Sequence, residues 1–292
     1  MSSRWADAGY GLGWTLTKRV PEPVARAAFA QVGDQVWRRG GGGVRRLGGN
    51  LRRACPEVDD AGLDALTRTA MRSYTRYWCE AFRLPVWSRE QVLDRIVVHD
   101  EHILRDAHAQ GRGVVTALPH LANWDHAGAW ACLTGMPLTT VAERLEPERL
   151  FQRFVAYRER LGMEVLPLTG AGGSPIRTLL DRARAGRLIC LVADRDLSAA
   201  GLEVDLLGAR ARLPAGPAMV ARSTGAPLVP VTLAYRGARL HITMHEPVQP
   251  VPGRDGLRVM TQQVADVFSR GIRTSPQDWH MLQKVFVDDL GP

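Results

Sequence analysis

From Ile96 onward the chain alternates short, nearly all-apolar runs with longer helix-like segments, and this alternation restricts the fold more than any other feature. Strand-like runs fall at GVVTAL (113 to 118), PLTTVA (137 to 142), EVLPL (164 to 168), RLICLVA (187 to 193), EVDLL (203 to 207), PLVPVTLAY (227 to 235) and RLHITM (239 to 244). Helices fit 100 to 110, 124 to 134, 147 to 161, 175 to 185, 215 to 224, 257 to 272 and 276 to 286. A strand that is apolar along its whole length is covered on both faces. The expected architecture is therefore α/β, one domain with a mostly parallel central sheet of about seven strands flanked by helices.

The segment before this core is basic. Residues 1 to 53 carry ten Lys and Arg against three Asp and Glu, which is +7 of the chain's net +8. Trp5, Ala8, Leu12, Leu16 and Val20 share one helical face, and after the helix-starting PEP so do Val24, Ala25, Ala28, Phe29, Val32 and Val36. Basic amphipathic helices suit an anionic membrane surface, so residues 1 to 56 are expected to be a membrane-docking part of the same domain and 57 to 292 its α/β core. RRGGGGVRRL (38 to 47) reads as a flexible joint. Asp59 to Leu84 reads as one long helix, with Tyr74, Trp78 and Phe82 as core residues.

Several function classes are excluded. The glycine run lacks a preceding strand and a following Gly-Lys-Ser/Thr, so it is no phosphate loop. GAGGSPI around Ser174 lacks the second glycine of a nucleophile elbow, and no His-Glu-x-x-His occurs. Four scattered cysteines without Cys-x-x-Cys spacing indicate a reducing compartment and no zinc site. Neither a zinc-finger spacing nor an aromatic RNA-binding signature accompanies the basic segment, so nucleic acid is not the expected partner. No window of eighteen apolar residues would span a bilayer.

The chemistry concentrates in ALPHLANWDHAGAW (117 to 130). On one helix His120 and Asp125 would lie about 140° apart, at roughly 100° per residue, too far to touch. They meet only if His120 lies in the loop and Asn123 caps a helix that begins at Trp124. Asp125 then feels the positive helix end and is kept as the carboxylate needed to hold an imidazole N–H. The same spacing recurs at His241 and Glu246, but inside a strand-like stretch. Only the 120/125 pair lies past a buried strand at a helix start, where α/β sheets place their ligands. His126 reads as a helix-surface residue.

HLANWDHAGAW, together with VAERLEPERLFQRFVAYRERLGMEVLPL, LICLVADRDL, LPAGPAMVARSTGAPLVPV and SPQDW, resembles the actinobacterial phosphatidylinositol mannoside acyltransferases of the lipid A-type and glycerolipid acyltransferase superfamily. The resemblance implies a peripheral enzyme on the cytoplasmic face of the inner (plasma) membrane. It would move a long acyl chain from acyl-CoA, with palmitoyl-CoA as the expected donor, to a mannose hydroxyl of a phosphatidylinositol mannoside, without a metal or other cofactor. His120 would be the general base and Asp125 its partner, with no covalent acyl-enzyme. By correspondence Glu143, Arg158 and Asp194 would line the cleft and position the sugar or headgroup. An apolar slot beside His120, open toward the N-terminal helices, is required for the acyl chain. Glycerolipid acyltransferases often carry Glu-Gly-Thr-Arg where this chain has Ala-Asp-Arg-Asp (193 to 196), which argues against glycerol phosphate as acceptor. The alternatives are a related enzyme using acyl carrier protein or another acceptor, and a non-catalytic lipid-binding protein of the membrane surface.

Overall fold

A computed structural model describes residues 17–143, 148–168, 175–196 and 201–290. Seven strands form the central sheet: β1 (Ile96–His99), β2 (Val114–Leu118), β3 (Leu138–Ala142), β4 (Glu164–Pro167), β5 (Leu188–Val192), β8 (Leu228–Arg236) and β9 (Arg239–Met244), in the order β1-β9-β8-β2-β5-β3-β4. Every neighbouring pair is parallel except the β8–β9 hairpin. The sheet is α/β and mostly parallel, as its apolar runs predict, and all five residues of β2 are buried at its centre.

Its membership differs from the expectation in one respect. EVDLL is not in it: β6 (Leu202–Leu206) pairs only with β7 (Ala209–Leu213), through a two-residue turn in which Leu207 and Gly208 both have positive φ. Its residues alternate, with Val204 and Leu206 buried and Glu203 and Asp205 exposed, which is the pattern of a hairpin with one wet face. The edge strand β1, short and only half-buried, takes the seventh place.

Helices α5 (Glu101–Ala109), α6 (Trp124–Leu133), α7 (Glu148–Arg160), α8 (Ile176–Arg184), α9 (Gly216–Thr224) and α10 (Gly256–Thr274) follow the expected positions. The segment expected as a helix over 276 to 286 is instead a 3-10 turn at Pro276–Asp278 and an extended strap, with a short α11 at Val287–Leu290. Its backbone is paired elsewhere. Ala122 N–H donates to Asp278 O (2.8 Å), His280 N–H donates to His120 O (2.8 Å), and Leu121 bridges Trp279. Tertiary pairing overrides the local helical pattern.

Among the described residues the helices α1 (Glu22–Arg39), α2 (Gly42–Ala54) and α3 (Asp60–Arg83) precede the sheet, with the short α4 (Arg89–Asp94) after them. The glycine run is not a joint as a whole. Gly40, in the left-handed conformation, ends α1, and Gly42 already begins α2. On α1 the contact with α3 centres on Asp34, whose carboxylate takes paired bonds from Arg68 and Arg72. Gly33 lets the helices approach, since a Cβ there would lie 3.0 Å from Met71 O. This rotation buries Ala25 but leaves Val24 (57 %) and Val32 (51 %) exposed. The first amphipathic face, Trp5 to Leu16, lies outside the described residues.

Candidate active site

Strands β2 and β5 run side by side with Leu118 opposite Val192, and Ala193 N–H extends the ladder to Leu118 O (2.9 Å). Each chain then leaves the sheet, and the second residue beyond each strand carries the chemistry: His120 after β2, Asp194 after β5. Asp194 is fully buried. Its Oδ1 lies 2.5 Å from His120 Nδ1, while its Oδ2 accepts from His120 N–H and from the Trp279 indole N–H, both at 2.9 Å. Burial alone would push this carboxyl up. Attraction to His120 and these hydrogen bonds outweigh it and hold the group below the ordinary carboxylate value. The imidazole therefore keeps its proton on Nδ1 and its lone pair on Nε2. That atom has no hydrogen-bond partner among the described residues.

The expectation that Asp125 holds the imidazole is thus corrected: Asp194 does. Asn123 does cap α6, its Oδ1 accepting from His126 N–H at 3.0 Å, and Asp125 does sit in the first turn. Its side chain is buried against α3 and α7, where it accepts from Tyr77 O–H (2.9 Å) and Arg158 Nε (2.7 Å). Burial disfavours the charge on Arg158, but Asp125 beside it more than compensates, and the guanidinium is held above its ordinary pKa. Tyr77 is pushed well up by burial and by Asp125, so it stays a donor.

The remaining expectations separate along the same lines. Asp194 was expected to meet a headgroup; with no exposed surface and its oxygens spent internally, it positions His120 instead. Arg158 does line the cleft, but pinned by Asp125. Glu143, half-exposed, also lines it and pairs with Arg195 across 2.8 Å. His126 is not on the surface: it is 1 % exposed, with Nε2 on Val92 O at 2.9 Å and its ring against Trp87. Burial favours its neutral form.

Beside His120 lies a cavity of about 340 Å³ whose walls include Tyr74, Trp78, Leu138, Phe151, Phe154 and Met163. This is an apolar slot where one was expected. Tyr74 and Trp78, read from the sequence as core, are half-buried and face this space. Asp125, Glu143, Arg158 and Arg195 supply polar groups to its lining. Sequence reasoning missed Arg195, Trp279 and His280. Arg195 stood in LICLVADRDL and Trp279 in SPQDW, but the second segment was read as a helix start, which hid its reach to the site.

A model of the bacterial lipid A biosynthesis acyltransferases matches residues 1–287. The chain is 43% identical over 284 residues to a phosphatidylinositol mannoside acyltransferase of Mycolicibacterium smegmatis, covering 97% of this chain and 92% of that one. It is 41% identical over 287 residues to the protein of the same name from Mycobacterium tuberculosis, covering 97% and 89%. A buried acid–imidazole pair at the carboxyl ends of two central strands, beside an apolar slot, stands in a chain that belongs to the bacterial lipid A biosynthesis acyltransferase family.

Proposed function

We propose that this protein transfers a long-chain acyl group from acyl-CoA, palmitoyl-CoA as the expected donor, to a mannose hydroxyl of a phosphatidylinositol mannoside. The observation that carries the reading is the unpartnered Nε2 of His120 at an apolar slot, with Nδ1 engaged by Asp194. A sugar hydroxyl is a weak nucleophile at neutral pH. Nε2 takes its proton as the oxygen attacks the thioester carbonyl, Asp194 stabilises the imidazolium, and the tetrahedral intermediate expels the thiolate, which recovers the proton from Nε2. Such base catalysis contributes roughly 10²- to 10⁴-fold. Asp125 acts one step away, fixing Arg158 at the cavity wall, and Glu143 with Arg195 offers the polar contacts for the sugar. The names of the relatives support the acceptor.

The site of action in this reading is the cytoplasmic face of the inner (plasma) membrane, with peripheral attachment to anionic lipid. No helix among the described residues is long and apolar enough to cross a membrane. The exposed Val24 and Val32, on the same helix as exposed Arg38 and Arg39, support contact with an anionic surface. The test is mass spectrometry of products from a mannosylated phosphatidylinositol offered with a mixture of acyl-CoAs, and in parallel with acyl carrier protein. Acylated mannoside from acyl-CoA is expected. Transfer only from the carrier protein, or only to another lipid, would replace the donor or acceptor, and lipid binding without transfer would remove the enzyme.

A further inference from the structure

We propose that the Asp278–His280 strap belongs to the acyl-transfer apparatus and that Trp279 is a positioning residue, setting the Asp194 carboxylate for His120. Three hydrogen bonds join the strap to the dyad and to the loop that carries His120. Trp279, fully buried, donates its indole N–H to Asp194 Oδ2 (2.9 Å) across 85 residues of sequence. Its backbone bridges Leu121 through the other two: His280 N–H donates to His120 O (2.8 Å) and Asp278 O accepts from Ala122 N–H (2.8 Å). Ala122 has φ +47, a conformation uncommon for a residue with a Cβ, and this contact holds it there. The strap therefore fixes both halves of the dyad: the loop that carries the imidazole and the oxygen that does not bond its ring.

The indole occupies the one carboxylate oxygen not bonded to the imidazole ring. With His120 N–H it confines the Asp194 plane, so that Oδ1 faces Nδ1. Removing that donor leaves the carboxylate more basic and less confined. A more basic carboxylate holds the imidazolium more strongly, so protonation of His120 is favoured over a wider pH range, while the looser geometry slows transfer. Besides Asp194, the titratable groups that share the cavity lining with His120 are His280 from the strap, Tyr74 and Tyr77 from α3, Asp125 from α6, Arg158 from α7, Cys190 from β5, and the Glu143–Arg195 pair. Among the described residues only Asp194 bonds the ring.

The inference rests on the acyl-transfer reading, so one arm of its test is independent of turnover. In ¹⁵N-histidine spectra of the full chain, Trp279→Phe is expected to raise the His120 titration midpoint by roughly half a unit or more. With saturating substrates it should lower kcat about 10-fold while both KM values stay within twofold. In the unaltered protein the Trp279 indole proton should move with the His120 titration, and in Asp194→Asn it should not. That measurement serves even if Trp279→Phe does not fold. An unchanged His120 midpoint in a folded Trp279→Phe variant, or an indole proton indifferent to the dyad, overturns the proposal. Absence of transfer to any mannoside by the unaltered protein overturns the acyl-transfer reading instead, and the spectra still decide whether the indole sets the dyad.

Discussion

His120 and Asp194, 74 residues apart in sequence, stand 2.5 Å from each other because Leu118 and Val192 are paired neighbours at the ends of two adjacent parallel strands. A parallel register puts equivalent positions of the two chains at the same height, so the residues two steps beyond each strand meet at the sheet's carboxyl edge. Asp194→Asn keeps the shape but reverses the donor pattern at Nδ1. Transfer is expected to fall on the order of 10²- to 10⁴-fold with little change in unfolding midpoint, as radiolabelled acyl transfer beside thermal denaturation would check.

Asp125 behaves differently. It is 2 % exposed, and its partner Arg158 has a side chain only 15 % exposed, so Asp125→Ala strands a buried guanidinium and leaves Tyr77 O–H without its acceptor. Urea unfolding should show a loss of about 3 to 5 kcal/mol. A loss of activity without that loss of stability would mean that Asp125 acts directly on substrate.

The slot can be shortened at Gly128. A Cβ there would lie 2.6 Å from Met163 Cε and 3.4 Å from Leu138 Cδ2, and all three residues line the cavity. Met163 is flexible enough to move, so Gly128→Val should fold while filling acyl space. Donors too long for the shortened slot should lose about fourfold in kcat/KM for each excluded methylene, from about 0.8 kcal/mol of burial apiece. Product chain lengths from an acyl-CoA mixture would shift downward. An unaltered distribution would place the acyl chain elsewhere.

His280 predicts an acid sensitivity. Burial, and secondarily the neighbouring His120, push its pKa down from 6.5 to about 3; Nε2 meets Ser73 Oγ at 3.0 Å, while Nδ1 is buried without a partner among the described residues. Because the folded value is depressed, the unfolded chain binds a proton that the folded one refuses. Stability is therefore unaffected above pH 6.5 and declines as pH falls toward about 3, by up to ~1.4 kcal/mol per unit and on the order of 4 kcal/mol over the window. Denaturant titrations at several pH values should give His280→Phe a visibly shallower acid slope than the unaltered protein. Equal slopes would assign the loss to other groups, such as His126, whose value burial also lowers.

Much of this was legible in the order of residues. The apolar runs dictate strands buried on both faces, and the helical segments between them dictate a mostly parallel sheet. Asn123 announces the start of α6, which places His120 in the loop before it. Even the misassigned EVDLL carried its correction, since its alternating charges mark a half-wet hairpin. These are local matters, decided within a few residues by side-chain period, capping and turn chemistry. Which strands lie side by side, and at what register, depends on how distant segments pack. Only the tertiary structure could therefore choose Asp194 over the nearer Asp125 as the partner of His120, hand Asp125 to Arg158, and draw a C-terminal segment out of helix so that Trp279 reaches the dyad. Proximity along the chain fixes neither direction nor distance for side chains on different elements; strand pairing and the competition of buried donors for one carboxylate do.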